Sequence, residues 1–438
     1  MQAINVIGGG LAGCEAAYRI AQEGVKVKLW EMRPGKNTPV HKTANLAELV
    51  CSNSLKSELD NTSQGLLKNE MTILDSILLS CAKEARVPAG SALAVDRAVF
   101  SSLVSERILT HQGIEIIREE VNEIPSDGIW VVATGPLTSE SLSSSLAMLT
   151  GEKNLFFYDA VAPSVTADSL DMNKIFRASR YGKGTDDYLN CPLSKEEYEV
   201  FYDCLVKADI KEGHDIDRRY YFDSCMPVEE IASRGRDTLR FGPMRPVGLD
   251  NPHHDGKAYA VVQLRQENVA GTIYGMVGFQ TRMRWGDQNE VFRLIPGLEN
   301  ADFVRYGVMH RNTYVNSPQL LGTGLQLRRE PRIFLAGQIT GVEGYMESAA
   351  TGIIAGLNAV RCLTGRQLIV PEKNTMIGAL LNFITTSSSE NFQPINANFG
   401  ILPLLEQTIK DKQKRYSAYA NRAIAKMQEF SELSQKQL

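Results

Sequence analysis

The sequence predicts an α/β core interrupted by an inserted α+β domain. Three observations carry this expectation. The chain opens on a β run, a glycine-spaced turn, a helix-compatible stretch and a second β run. Two more buried β runs, each ending in small residues, stand at 129–135 (IWVVATG) and 332–344 (RIFLAGQITGVEG). Between them, from 185 to about 298, the texture shifts towards aromatics, arginines and prolines. A length of 438 residues suits this plan: it is long for one ordinary domain and right for two or three, or for one with a sizeable insertion. The expected boundaries are 1–184 and 299–438 for the two parts of the core and 185–298 for the insertion.

The first element is an apolar run over 3–7. Gly8, Gly10 and Gly13 follow at G-x-G-x-x-G spacing, with Gly9, Leu11 and Ala12 between them, and 14–21 reads as helix. The second β run, 25–30, ends at Glu31, 18 residues after the last glycine. Glycines permit a tight turn and a close approach of backbone to a pyrophosphate. The helix N-terminus adds N–H groups and a positive dipole, and Glu31 is placed to accept from ribose hydroxyls. The glycine triplet alone would be a weak signal; with both strands and the acid in register it is a strong one. The later β runs favour FAD over NAD. A strand, the AGQITG turn and a helix-like run from Tyr345 stand, by analogy of fold, where a flavin ring and ribityl phosphate are received. Gly337, Gln338, Gly341, Gly344 and Tyr345 are the candidates there. The expected fold is a Rossmann-type FAD-binding domain with an inserted α+β domain.

Other elements are plainer. Residues 66–85 read as a helix leading to Pro88, and 91–180 mix helix and strand. The segment 404–438 reads as one or two amphipathic helices carrying seven basic against four acidic residues. A solvated face is the commoner reading of such a tail, and contact with an RNA backbone the sharper one. The net charge of −4 excludes a globally basic nucleic-acid coat but not a local basic patch. No run of 18 apolar residues appears, and the first residues lack the basic, apolar and cleavage regions of a signal peptide, so no membrane partner and a cytoplasmic location are expected. The seven cysteines lie at least 13 residues apart, which leaves no CxxC pair and no zinc spacing. The six histidines, including the pair His253 and His254, lack a ligand set, so no metal is expected.

Four longer segments carry a resemblance: 46–58 (LAELVCSNSLKSE), 220–249 (YYFDSCMPVEEIASRGRDTLRFGPMRPVGL), 279–288 (FQTRMRWGDQ) and 391–400 (NFQPINANFG). In order and spacing, over essentially the whole chain, the sequence resembles the folate- and flavin-dependent tRNA uracil-5 methyltransferases, the TrmFO family. The GidA-type flavoproteins, which modify the tRNA wobble uridine, share the flavin segments and FQTRMRWG but are longer and work with a GTPase. The resemblance implies that 5,10-methylenetetrahydrofolate supplies one carbon to C5 of a T-loop uridine in tRNA. Reduced FAD supplies the electrons, and NADH or NADPH re-reduces it. S-adenosylmethionine is not used, and no obligatory protein partner is expected. The same chemistry on ribosomal RNA is the alternative target. A nicotinamide-dependent flavin oxidoreductase of a small molecule and a non-catalytic tRNA-binding protein are the rivals from other classes.

Uracil C5 is a poor nucleophile until a thiolate adds at C6, so such chemistry needs a cysteine. Cys225 stands among Arg218, Arg219, Arg234, Arg236, Arg240 and Arg245, which could favour a thiolate and hold phosphates, and Tyr220, Tyr221 and Phe222 could stack an extruded base. From composition alone a buried thiol with arginines paired to nearby acids is preferred; the resemblance reverses that and makes Cys225 the nucleophile. It also makes Cys51 the second functional cysteine, beside the flavin. Cys14, Cys81 and Cys362 read as packing. His310 and Tyr345 are candidates to contact the pterin, where a structural role is the commoner one, and Arg282 and Arg284 to bind RNA phosphates, where surface solvation is the plainer alternative.

Overall fold

The computed structural model describes residues 3–38, 40–151, 155–182, 185–210, 226–252, 257–390 and 392–436. Its central sheet has five parallel strands in the order Ile333–Leu335, Trp130–Val132, Ile4–Ile7, Val27–Trp30 and Ile114–Ile117. Ile4, Val6, Val131, Val132 and Phe334 are fully buried, the apolar continuity required of a parallel sheet covered on both faces. The first strand of the chain sits in the middle of the order. Its C-terminal end therefore opens between the strand ending at Trp30 and the one ending at Val132, where ligands of open α/β sheets bind.

The helix Leu11–Gln22 packs against the long helix Tyr345–Leu363 at backbone contact. A Cβ on Gly352 would stand 2.2 Å from the Ala12 carbonyl oxygen, and one on Gly356 2.7 Å from that of Ala16. Small residues on both helices bring their axes together, and the long helix is buried from Met346 to Arg361, its polar Glu347, Thr351 and Asn358 included.

The run 66–85 is not one helix but two, Ser63–Ile73 and Ile77–Glu84. The apolar periodicity carries across the break, but Asp75 takes a left-handed φ of +60° and Ser76 caps the second helix by accepting from Leu79 N–H at 3.2 Å. Glu15, buried on the first helix, accepts from Leu78 N–H at 3.1 Å and from the Ser76 hydroxyl.

The second body is a six-stranded antiparallel sheet in the order Phe176–Arg177, Leu189–Leu193, Ala260–Gln266, Ile273–Met276, Ser164–Thr166 and Phe303–Arg305. Three of its strands, Phe176–Arg177, Ser164–Thr166 and Phe303–Arg305, lie outside 185–298, so the sheet draws on chain to either side of that span. Tyr198, Phe201, Phe279 and Phe292 fill a core separate from that of the first body. A two-stranded antiparallel ribbon, Leu155–Ala160 with Met309–Tyr314, carries the chain in and out. The tail gives one helix, Lys412–Lys436, which buries Tyr419, Ala423, Met427 and Phe430. Among the described residues no helix is long and apolar enough to cross a membrane.

Candidate functional site: a dinucleotide cleft and a charged seam

The glycine turn is built as its spacing requires. Gly8 takes φ +101°, and a Cβ there would meet the Ala133 carbonyl oxygen at 2.6 Å. A Cβ on Gly13 would lie 1.8 Å from the Gly8 carbonyl oxygen. Gly10 differs: no described atom lies within 4 Å of where its Cβ would stand, and that side opens into a cleft. Gly8, Gly9, Gly10, Leu11 and Ala12 form one wall of the cleft, Ala133–Ser139 another, and Gly337, Gln338, Tyr345 and Ser348 a third. The first-turn N–H groups of the helix starting at Leu11 have no intrahelical partner, and Gly10 supplies no side-chain cap. They form an anion cradle of the pyrophosphate kind.

Glu31 lines the cleft, but both its oxygens are engaged. Gly9 N–H donates to Oε2 at 2.9 Å, and Arg33 donates from its backbone N–H and its Nε to Oε1, both at 3.0 Å. Burial pushes the Glu31 carboxyl up, but the Arg33 hydrogen bonds and charge outweigh it and hold the carboxyl below its usual range. Arg33 is itself buried and reaches Glu48 Oε2 at 3.2 Å. Arg33 belongs to none of the predicted site residues; a cation two residues after the fingerprint acid is the sequence signal that marks it.

Of the other predicted cofactor residues, Gly337 takes φ +83° and donates its N–H to Thr351 Oγ1 at 2.7 Å. Gly341 and Gly344, at φ +82° and +121°, are not among the residues that line the cleft. The segment 392–397 straps this loop: Glu343 N–H donates to Ile395 O at 2.7 Å, Ile395 N–H to Gly341 O at 3.0 Å, and Ala397 N–H to Glu347 Oε1 at 3.1 Å.

Cys51 is half-buried at one end of this wall, where its N–H donates to the Tyr345 hydroxyl oxygen at 2.8 Å. Its carbonyl oxygen accepts from Arg97 Nη2 at 3.0 Å. The same Arg97 nitrogen reaches Glu267 Oε1 at 3.0 Å, which also accepts from Arg305 Nη2 at 3.3 Å. Arg265 donates from Nε to Asn53 Oδ1 at 2.9 Å. Thus two residues predicted from separate motifs, Cys51 and Tyr345, are brought together, and three arginines that no motif marked surround them.

Cys225 lies outside the described residues, as do Arg218, Arg219 and the three aromatics before Asp223. His310 pairs in register with Asp159 on the ribbon, and its side chain is also outside the described part. Arg282 is mostly buried, with Nη2 3.5 Å from Glu230 Oε2 and its N–H donating to Glu229 Oε1 at 2.9 Å. Arg284 is exposed at the start of the helix Trp285–Phe292, whose exposed Trp285 stacks on Tyr306 at 5.8 Å. Arg236 pairs with Glu199 and Asp203, and Arg240 lies 3.6 Å over the Tyr259 ring. Cys14, Cys81 and Cys191 are buried, and burial pushes all three thiols up, Cys81 to about 11. Cys204 is exposed and Cys362 only partly buried.

Comparison with known proteins agrees with this geometry. The family model described as glucose inhibited division protein A matches residues 3–367. Three relatives carry the name methylenetetrahydrofolate–tRNA-(uracil-5-)-methyltransferase TrmFO. That of Syntrophomonas wolfei is 69% identical over 99% of both chains, that of Acetivibrio thermocellus 57% over 98% of both, and that of Bacillus subtilis 53% over 98% of this chain and 99% of its own. A crystal structure of Aquifex aeolicus GidA superposes with a TM-score of 0.71 at 17% identity, covering 99% of this chain and 73% of that one, a likeness of fold. The parallel sheet with its glycine turn, the inserted antiparallel domain and near-full-length identity of this degree place the chain in the TrmFO family of the GidA-type flavoprotein fold.

Proposed function

We propose that this chain transfers the one-carbon unit of 5,10-methylenetetrahydrofolate to C5 of a T-loop uridine in tRNA, with FAD as cofactor and NADH or NADPH as the reductant. The products are 5-methyluridine, tetrahydrofolate and oxidised nicotinamide. The observation that carries this reading is identity of 53–69%, over nearly the whole length, to three proteins named for that activity.

The cleft suits FAD in its donor chemistry: first-turn N–H groups for a pyrophosphate, clearance at Gly10, and walls drawn from three strand ends. Gly9, Gly10, Leu11 and Ala12 would hold the pyrophosphate, and Gly337, Gln338 and Tyr345 the flavin end. When bound, FAD supplies the two electrons that turn the transferred methylene into a methyl group. Glu31 has both oxygens occupied, so its first task is to fix the Gly9 amide; a ribose hydroxyl would share a carboxylate already held by Arg33. Cys225 is assigned the attack on uracil C6, which places an electron pair at C5; loss of the C5 proton and departure of the thiolate restore the ring. Cys51, joined to the Tyr345 hydroxyl, serves the one-carbon step at the flavin end.

The test is incubation of the yellow protein with labelled methylenetetrahydrofolate, NADH and unmodified tRNA, followed by nucleoside analysis. Label is expected in 5-methyluridine; label arriving from S-adenosylmethionine with folate omitted would overturn the reading. Cys225→Ala should retain FAD but neither methylate nor form a covalent complex with 5-fluorouridine RNA. Trapping by Cys225→Ala but not by Cys51→Ala would reverse the two roles.

A further inference from the structure

Among the described residues, the seam between the two bodies gathers more positive charge than it neutralises. Arg97 comes from the helix Arg97–Leu109, Arg265 from the strand Ala260–Gln266 and Arg305 from the strand Phe303–Arg305. Among the described residues, the carboxylate that pairs with Arg97 and Arg305 is that of Glu267. Its two oxygens are already shared: Oε1 accepts from both arginines, and Oε2 accepts from the Ser164 hydroxyl at 3.0 Å. Arg305 Nη2 also donates to Ser164 Oγ at 2.9 Å. The side chains of Arg97 and Arg305 are 19% exposed, and the Nε of each is buried without a hydrogen-bond partner among the described residues. Burial pushes Arg265 and Arg305 below the usual arginine range, and the neighbouring Arg97 charge presses Arg305 further down.

A latch between two bodies needs one arginine for one carboxylate. Among the described residues, three guanidiniums stand against one carboxylate, a partly buried excess of two positive charges that is costly unless an anion joins them. Unused N–H groups on planar guanidiniums favour an anion that accepts two parallel hydrogen bonds, a carboxylate or a phosphate, over a spherical ion. Arg97 also holds the Cys51 carbonyl oxygen, and Cys51 lies within electrostatic reach of Arg265 and Arg305. An anion bound here would therefore sit where the one-carbon step is assigned.

We propose that Arg97, Arg265 and Arg305 form an oxyanion site that anchors a charged group of a substrate beside Cys51. The site rests on the function proposed above for its two sources, a carboxylate of the folate's glutamate tail or a phosphate of the RNA.

Equilibrium binding to FAD-loaded, full-length protein tests it, using 5-formyltetrahydrofolate, its analogue lacking the glutamate, and unmodified tRNA at several salt concentrations. Arg305→Met is expected to retain FAD and weaken one ligand by at least about tenfold, with Arg305→Lys intermediate because it keeps the charge and loses the fork. Loss for the glutamate-bearing folate, with the glutamate-free analogue unaffected, identifies a carboxylate. Loss for tRNA, with the salt dependence reduced by about one ion, identifies a phosphate. Unchanged binding of all three ligands by a folded Arg305→Met overturns the site, and so does equal loss for both folates with tRNA unaffected. If Arg305→Met does not fold, Arg305→Lys alone decides: wild-type affinity for all three overturns the site. Wild-type protein that binds an oxyanion carrier at this site yet never methylates would sink the function and leave the site standing.

Discussion

The cleft and the seam present opposite materials to a ligand. At the cleft the groups offered to an anion are backbone amides, open because Gly10 carries no side chain and because a helix begins at Leu11. At the seam they are side chains, drawn from Arg97, Arg265 and Arg305, three positions far apart in the chain. A backbone site needs residues close in sequence, since neighbouring amides must converge. A side-chain site needs only that the fold bring long arms together. The cleft is therefore intolerant of added atoms, and the seam of changed charge.

The sharpest way to break this comparison is the pair Gly13→Ala and Gly10→Val. At Gly13 a methyl group would enter the Gly8 carbonyl, so Gly13→Ala should cost more than about 3 kcal/mol and show in thermal melting as a protein that barely folds. At Gly10 the methyl groups would point into the open cleft, so Gly10→Val should melt within about 1 kcal/mol of wild type yet bind FAD at least about 100-fold more weakly, read by titration of released flavin. A yellow Gly10→Val would show that the cofactor does not approach the turn.

A smaller effect tests how side chains support backbone elsewhere in the core. Glu70 is fully buried and accepts from Met376 N–H at 2.6 Å and Ile377 N–H at 2.8 Å, capping the helix Met376–Thr386 from another element. Burial pushes its carboxyl from 4.5 up to about 8, against the pull of those two hydrogen bonds. The stability it contributes is therefore complete below pH 4.5 and is lost as pH rises towards 8. Glu70→Gln should gain on wild type through that window, at up to about 1.4 kcal/mol per unit, in denaturant unfolding at pH 5, 7 and 8.5. A constant difference would mean the carboxyl stays neutral or ionised throughout.

Glu31→Gln should give the smallest shift and the opposite slope. Its folded carboxyl is held below 4.5, so its contribution is present above that pH and lost below it. Wild type should exceed Glu31→Gln by about 1–2 kcal/mol at pH 7 and converge with it in acid.

What could be read from the residues follows the same division. The glycine spacing, both flanking strands and the later AGQITG turn were legible because the backbone site is local. Glu31 was legible as the fingerprint acid, but Arg33, which fills both its oxygens, was passed over. The break at Asp75 was hidden because Leu74, Ile77 and Leu78 continue the apolar rhythm across it. The strand Ser164–Thr166 was missed because three residues carry no period of their own; only pairing with the strands Ile273–Met276 and Phe303–Arg305 makes them a sheet. Arg282 was put forward for phosphate, and the structure pairs it with Glu229 and Glu230, 53 and 52 residues away in sequence. The charged seam had no signature at all, since nothing local relates residue 97 to residue 305.

The strap at 392–397 and the central position of the first strand have a consequence for biosynthesis. The glycine turn leaves the ribosome among the first dozen residues, but its flanking strand ends at Val132, the facing wall arrives with Gly337 to Ser348, and the strap that holds that wall comes last. A nascent chain therefore exposes a cradle without walls for most of its translation. Stable retention of a dinucleotide is therefore expected only once residue 397 has been made, and a truncation before it should leave the amino-terminal half unable to retain one even though it contains the whole fingerprint.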